Sequence, residues 1–160
     1  MAVNRERPHL IVLPEDEATR SLATGFSDQA QGPIDIQRPA RGWKHVLEAF
    51  ERDHVGYLRK YPCAHIVLLI DYDDDHPNRL TRFQERIPPD VADRVYVLGA
   101  LTEAENLRRE TGRKLGPLGS ALGQECRDGT STLWQTAQLR HNAGELARLE
   151  HQVKPFLFRP

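Results

Sequence analysis

The chain has 160 residues, 39% hydrophobic and 28% charged, with 22 lysines and arginines against 23 aspartates and glutamates. That composition is too apolar for intrinsic disorder, and a formal net charge of −1 leaves no global footprint for nucleic acid or membrane surfaces, so polyanion binding has to come from a local patch. The length fits a single α/β domain with a core over residues 8–112 and C-terminal helices over residues 115–158.

In chain order, His9 to Leu13 reads as a short buried strand between Pro8 and Pro14, and Glu15 to Phe26 has helical spacing in Ala18, Leu22 and Phe26. Pro33 to Ile36 alternates as a second, more exposed strand. From Gly42 to Tyr61, apolar residues at Trp43, Val46, Leu47, Phe50, His54, Tyr57 and Leu58 predict one long amphipathic helix. Ala64 to Ile70 is a continuous apolar run, the pattern of a parallel strand covered on both faces. Pro77 to Ile87 predicts a helix with Leu80, Phe83 and Ile87 inward and Arg79, Arg82 and Arg86 on an outer stripe. Val95 to Leu98 forms a fourth strand. A helix follows over Thr102 to Thr111, with Thr102 and Glu105 reading as a capping box. Gly116, Gly119 and Gly123 mark a helix of small residues suited to close packing. The tail, Thr132 to Val153, reads as helical, burying Leu133, Trp134, Ala137, Leu146, Leu149 and Val153. Strand and helix alternate four times, which predicts a Rossmann-like parallel sheet of about four strands flanked by helices, with a C-terminal helical extension.

Cys63 and Cys126 have neither metal nor redox spacing, so they are expected to be reduced and the protein cytoplasmic. The apolar run behind the basic N-terminus is too short for a signal peptide, and no stretch approaches the roughly 18 apolar residues of a membrane span.

The chemistry concentrates in acids. Glu15, Asp16 and Glu17 follow the first strand, and Asp71, Asp73, Asp74 and Asp75 follow the third in IVLLIDYDDD. In parallel α/β sheets ligands bind at the carboxyl ends of strands, so the two groups converge if those strands are neighbours. Hard oxygen donors at this density suit Mg²⁺ or Mn²⁺. In extended chain Asp71 and Asp73 point to the same side and share one ion while Tyr72 points away, and Asp75 is placed to reach a second. Asp71-x-Asp73-x-Asp75 is not a calcium helix-loop-helix loop, because His76 and Arg82 stand where its glycine and glutamate are needed. The plainer readings are a helix N-terminus for Glu15 to Glu17 and a solvated turn before Pro77 for the aspartates. Glu103 is a further ligand candidate. Lys114 is a candidate for stabilising phosphoryl charge, and Arg79, Arg82 and Arg86 for contacting nucleic-acid phosphates.

The strand ending at Glu15 (LIVLPEDEATRSL) and the later strand ending at Asp71-Tyr72-Asp73 (HIVLLIDYDDD) resemble the two signature motifs of the Toprim domain. That is the metal-binding fold of topoisomerases, bacterial primases, small RNA-maturing nucleases and overcoming-lysogenization-defect nucleases. The resemblance covers roughly residues 8 to 100. The family usually has glycine directly after the glutamate and often another soon after the aspartates, where this chain has Asp16 and Asp74-Asp75-His76. The resemblance implies that Asp71 and Asp73 hold Mg²⁺, that Glu15 acts as general acid/base or as a further ligand, and that the substrate is a nucleic-acid phosphodiester. It suggests a small nuclease, alone or with a protein partner in a DNA-processing or phage-defence assembly. Two rival readings remain: a receiver-like module phosphorylated on Asp71, and a non-enzymatic subunit whose acids meet a basic partner.

Overall fold

The computed structural model describes residues 4–158. Strands β1 (His9–Pro14), β2 (Ile34–Ile36), β3 (Ala64–Asp71) and β4 (Val95–Ala100) form one all-parallel sheet in the order β2-β1-β3-β4. The α/β class and four parallel strands are those expected from the alternating pattern. From β1 the chain steps outward to β2 and from β3 outward to β4 in the opposite direction, so a topological switch point lies between β1 and β3, where such sheets bind ligands.

Residues alternate between the two faces of β1. Leu10 and Val12 join the core built by α1 (Glu17–Ser27), α5 (Ala104–Thr111), α6 (Leu115–Asp128), α7 (Ala143–Gln152) and α8 (Lys154–Leu157). Ile11 and Leu13 join the core under α2 (Trp43–Ala49), α3 (Val55–Lys60) and α4 (His76–Arg86). Both faces are covered, which is why β3 reads as an unbroken apolar run.

The long helix predicted from Gly42 to Tyr61 is continuous but not uniformly α-helical. A π-helical turn at Phe50–His54 joins α2 to α3. Its cause lies in the spacing: Val46 and Leu47 are buried before the turn, Phe50 at its first residue and Val55 and Leu58 after it, and the five-residue step from Phe50 to Val55 needs a wider turn to keep one face inward. On the other face α1 and α6 meet backbone to backbone. A Cβ on Gly25 would stand 1.9 Å from the Gly116 carbonyl oxygen, and one on Gly119 would stand 2.0 Å from that of Leu22. The small residues of α6 therefore serve packing, as expected.

The tail departs from its expected single helix. Residues 132–139 are turns, Ala137 is exposed, and the regular helix begins at Ala143. Glu125 accepts from the Leu133 N–H, and Gln138 binds the end of β4, its carbonyl accepting from the Leu101 N–H (2.8 Å) and its side-chain oxygen from the Thr102 N–H (3.0 Å). The segment's polar groups are thus committed to other elements. Just beyond it, side chains take the place of a fifth strand along β4: Asn142 accepts from the Gly99 N–H, Glu145 accepts from the Val97 N–H and Arg148 donates to the Val95 carbonyl. This covers an edge that would otherwise present unpaired backbone groups. Among the described residues no helix is long and apolar enough to cross a membrane.

Candidate functional site

The switch point brings the two acidic segments together. β1 ends at Pro14, the next residue, Glu15, donates its N–H to the Leu69 carbonyl (2.9 Å), and β3 ends at Asp71. Glu15 Oε1 accepts from the Asp71 N–H at 3.1 Å. Asp71 Oδ1 in turn accepts from the Ala104 N–H at 3.0 Å and so caps the start of α5 from a distant strand. Both side chains are nearly enclosed, at 9% and 5% exposure. Asp16, half-buried, is the N-cap of α1. Its Oδ1 accepts from the Thr19 N–H and the Thr19 hydroxyl accepts from the Asp16 N–H, a reciprocal capping box. One oxygen from each of Glu15, Asp16 and Asp71 lies within 4.8 Å of the others.

Burial drives the electrostatics. Enclosure pushes the Glu15 carboxyl up to about 7, with the Asp71 N–H opposing and the charges of Asp16 and Asp73 reinforcing the shift. Asp71 is held well above the ordinary carboxylate range, first by loss of solvent and next by Asp16, against the capping bond from Ala104. These are the signs of carboxylates lacking a compensating cation at contact distance, and either protons or a metal ion can relieve them.

The remaining aspartates have another environment. The chain leaves the sheet at Asp71 and turns, with the Asp75 N–H donating to the Tyr72 carbonyl and with Asp73 and Asp74 in left-handed conformations (φ 50 and 61). The extended geometry that would align Asp73 with Asp71 is therefore absent. The Asp73 carboxylate is paired with Arg79 at 2.5 Å and is not grouped with Glu15, Asp16 and Asp71. Tyr72 does point away, into the core under α4. Asp75 accepts from the Asn78 side chain at 2.9 Å. Glu103 is the exposed N-cap residue of α5 and makes no side-chain capping bond, and the predicted Thr102–Glu105 capping box does not form. Asp71 takes the Ala104 N–H, Gln138 takes that of Thr102, and Glu105 pairs with Arg108. Lys114 is exposed beyond the far end of α5, about 12 Å of helix from the capping bond at Ala104.

Of the three arginines, Arg79 lies deepest. It donates to the Asp71 carbonyl and the Asp73 carboxylate, and its guanidinium lies 4.5 Å from the centre of the Trp43 ring. Arg86 is paired with Glu51, and Arg82 is exposed. Helical periodicity alone marks Trp43 as a core residue and misses its place beside the site. The backbone N–H groups of Arg41 and Gly42 donate to the Glu15 carbonyl (2.7 and 3.2 Å), and Gly42, at φ 128, lets the chain turn there into α2. Among the described residues, non-glycine left-handed conformations occur at Arg41, Asp73 and Asp74, all bordering the acidic site. Backbone strain of this kind collects where function constrains the chain.

Three hard oxygen donors suit an octahedral cation, whose ligands at about 2.1 Å stand about 3–4.2 Å apart, so small side-chain rotations bring the trio into range. Together, the parallel sheet and the acids at its switch point define an α/β domain with a candidate divalent-cation centre at the carboxyl ends of its middle strands. Comparison with known protein families, with curated proteins and with solved structures finds no match to this chain.

Proposed function

We propose that the protein is a Mg²⁺- or Mn²⁺-dependent, Toprim-like domain that cleaves or transfers phosphodiesters of nucleic acid, as a small nuclease or as part of a DNA-processing or phage-defence assembly. The observation that carries this reading is the pair Glu15 and Asp71: two enclosed carboxylates, side by side at the switch point, with no basic side chain paired to either among the described residues. Asp71 and Asp16 hold the ion, each through the oxygen not used for helix capping. Glu15 is the general acid/base or a further ligand. Arg79 keeps Asp73 and the end of β3 in place. The bound ion supplies charge neutralisation at the phosphate.

The reading is tested by titration calorimetry with Mn²⁺, together with nicking of plasmid and RNA by the wild type and Asp71→Asn. Binding and metal-dependent nicking that vanish in a folded Asp71→Asn support it. A protein that binds no Mn²⁺ and cuts neither substrate overturns it in favour of a non-enzymatic subunit.

A further inference from the structure

Beside the acidic centre, the first turn of α2 and the outer face of α4 enclose an open groove of about 470 Å³ lined by Trp43, Lys44, Glu48, Arg82, Glu85 and Arg86. We propose that this groove is the binding track for a single polynucleotide strand, with Trp43 as its aromatic contact and Lys44 and Arg82 as its phosphate contacts. The inference rests on the phosphodiester reading above and names the form of substrate the site would receive.

Three observations point to it. The first is placement. Trp43 directly follows Gly42, which is bonded to the Glu15 carbonyl, and it lies under Arg79, which is bonded to the Asp71 carbonyl. The groove is thus joined to both enclosed acids, and a strand lying in it would bring its phosphates towards them.

The second is the free charge. Among the described residues Lys44 and Arg82 have no carboxylate within ion-pair distance and Arg86 is paired with Glu51, so the three cations of the lining outnumber its two acids, Glu48 beside His45 and Glu85. The Lys44 ammonium lies 5.6 Å and the Arg82 guanidinium 5.8 Å from the centre of the Trp43 ring. Two available cations around one indole match the alternation of phosphate and base along a single strand, the combination used by sequence-tolerant single-strand sites.

The third is preorganisation. Trp43 is only half-buried, yet Arg79 and the fully enclosed Phe83, at 6.2 Å between ring centres, brace it. A braced aromatic ring loses little side-chain freedom on contact with a base.

The test is fluorescence anisotropy of labelled twelve-nucleotide thymidine and uridine strands with the metal-free full chain, supplemented by quenching of Trp43 emission. The expected result is binding to at least one strand that weakens with salt and falls about tenfold in Trp43→Ala, in line with the loss of one base stack. It should fall by a similar factor in Arg82→Ala, whose exposed side chain can be removed without disturbing the core. Trp43→Phe should keep most of the binding while losing the quenching. Unchanged binding in both alanine variants, or binding to duplex but to neither single strand, overturns the groove. Metal-dependent nicking could still persist in either case and would leave the phosphodiester reading standing. Conversely, strand binding that depends on Trp43 and Arg82 in a protein that neither binds Mn²⁺ nor cuts would keep the groove and remove the nuclease.

Discussion

Glu15 and Asp71 differ from Asp73, Asp74 and Asp75 in almost nothing that a composition count registers, yet they occupy opposite environments. The first two end the central strands, are nearly enclosed, and receive backbone N–H groups in place of cations. The other three occupy a turn, where Arg79 pairs with Asp73, Asn78 donates to Asp75 and Asp74 is exposed. Density of acids along the chain is therefore a poor guide to a site. An enclosed carboxylate without a counterion carries a large desolvation cost, and a chain retains such a group only where something else depends on it. The dense run DDD, by contrast, is mostly an ordinary solvated turn.

The sharpest way to break this contrast is at Asp71. Asp71→Asn keeps an oxygen for the Ala104 N–H and removes the charge, so it should fold normally and weaken Mn²⁺ binding by at least about 100-fold, beyond the loss typical of residues that merely support a ligand. Asp71→Ala should do the same and also leave the buried N–H at the start of α5 unpaired, at a cost of about 1–3 kcal/mol in urea unfolding. If the two variants are equally stable, the capping bond contributes nothing and the enclosed position of Asp71 needs another explanation.

The next effect is on pH. The folded-state pKa of Glu15 is raised from its ordinary 4.5 to about 7, so the folded protein holds this proton to higher pH than the unfolded chain does. The contribution of Glu15 to stability is then fully present below pH 4.5 and is lost as pH rises through 7. Solvent screening of the part of Glu15 that stays accessible discounts the loss to about 1–2 kcal/mol, and Asp71, raised by the same cause, acts in the same direction. Urea midpoints of the metal-free protein measured across that window should show the decline, and Glu15→Gln should make it shallower, leaving the share of Asp71. Adding Mn²⁺ should raise the melting temperature more at pH 8 than at pH 5, because protons compete with the ion for the same oxygens. At about 100 times the dissociation constant the gain is about 2.7 kcal/mol.

Much of this was legible in the sequence and some was not, for identifiable reasons. The strands, and the placing of Glu15 and Asp71 at strand ends, follow from apolar runs bounded by prolines and acids, a local signal. That β1 and β3 are neighbours is a fact of topology, and the sequence allows it without requiring it. The extended geometry expected to align Asp73 with Asp71 is absent because strand alternation stops at Asp71 and the next residues turn left-handed. The Thr102–Glu105 capping box is a sound local pattern that tertiary contacts from Asp71 and Gln138 override. The π-helical turn was detectable, since the step from Phe50 to Val55 breaks the helical period. Trp43 was hidden by its own regularity: it sits at a core spacing but opens onto the surface beside the site.

The smallest effects belong to the turn, and their smallness is the prediction. Asp74→Asn removes an exposed charge while preserving a side chain that tolerates the left-handed backbone, so stability should move by no more than about 0.5 kcal/mol. Asp73→Asn keeps an oxygen for Arg79 and a side chain that tolerates the left-handed backbone, so removing the charge of this 44% exposed carboxylate should cost about 0–1 kcal/mol and be masked by salt. Asp75→Ala removes only an exposed bond to Asn78 and should be as mild. None of the three should change Mn²⁺ affinity as Asp71→Asn does. Should Asp73→Asn match Asp71→Asn in calorimetry, the ion sits between β3 and the turn, Arg79 yields its partner when the metal binds, and the division between enclosed and solvated acids gives way to a site that rearranges on loading.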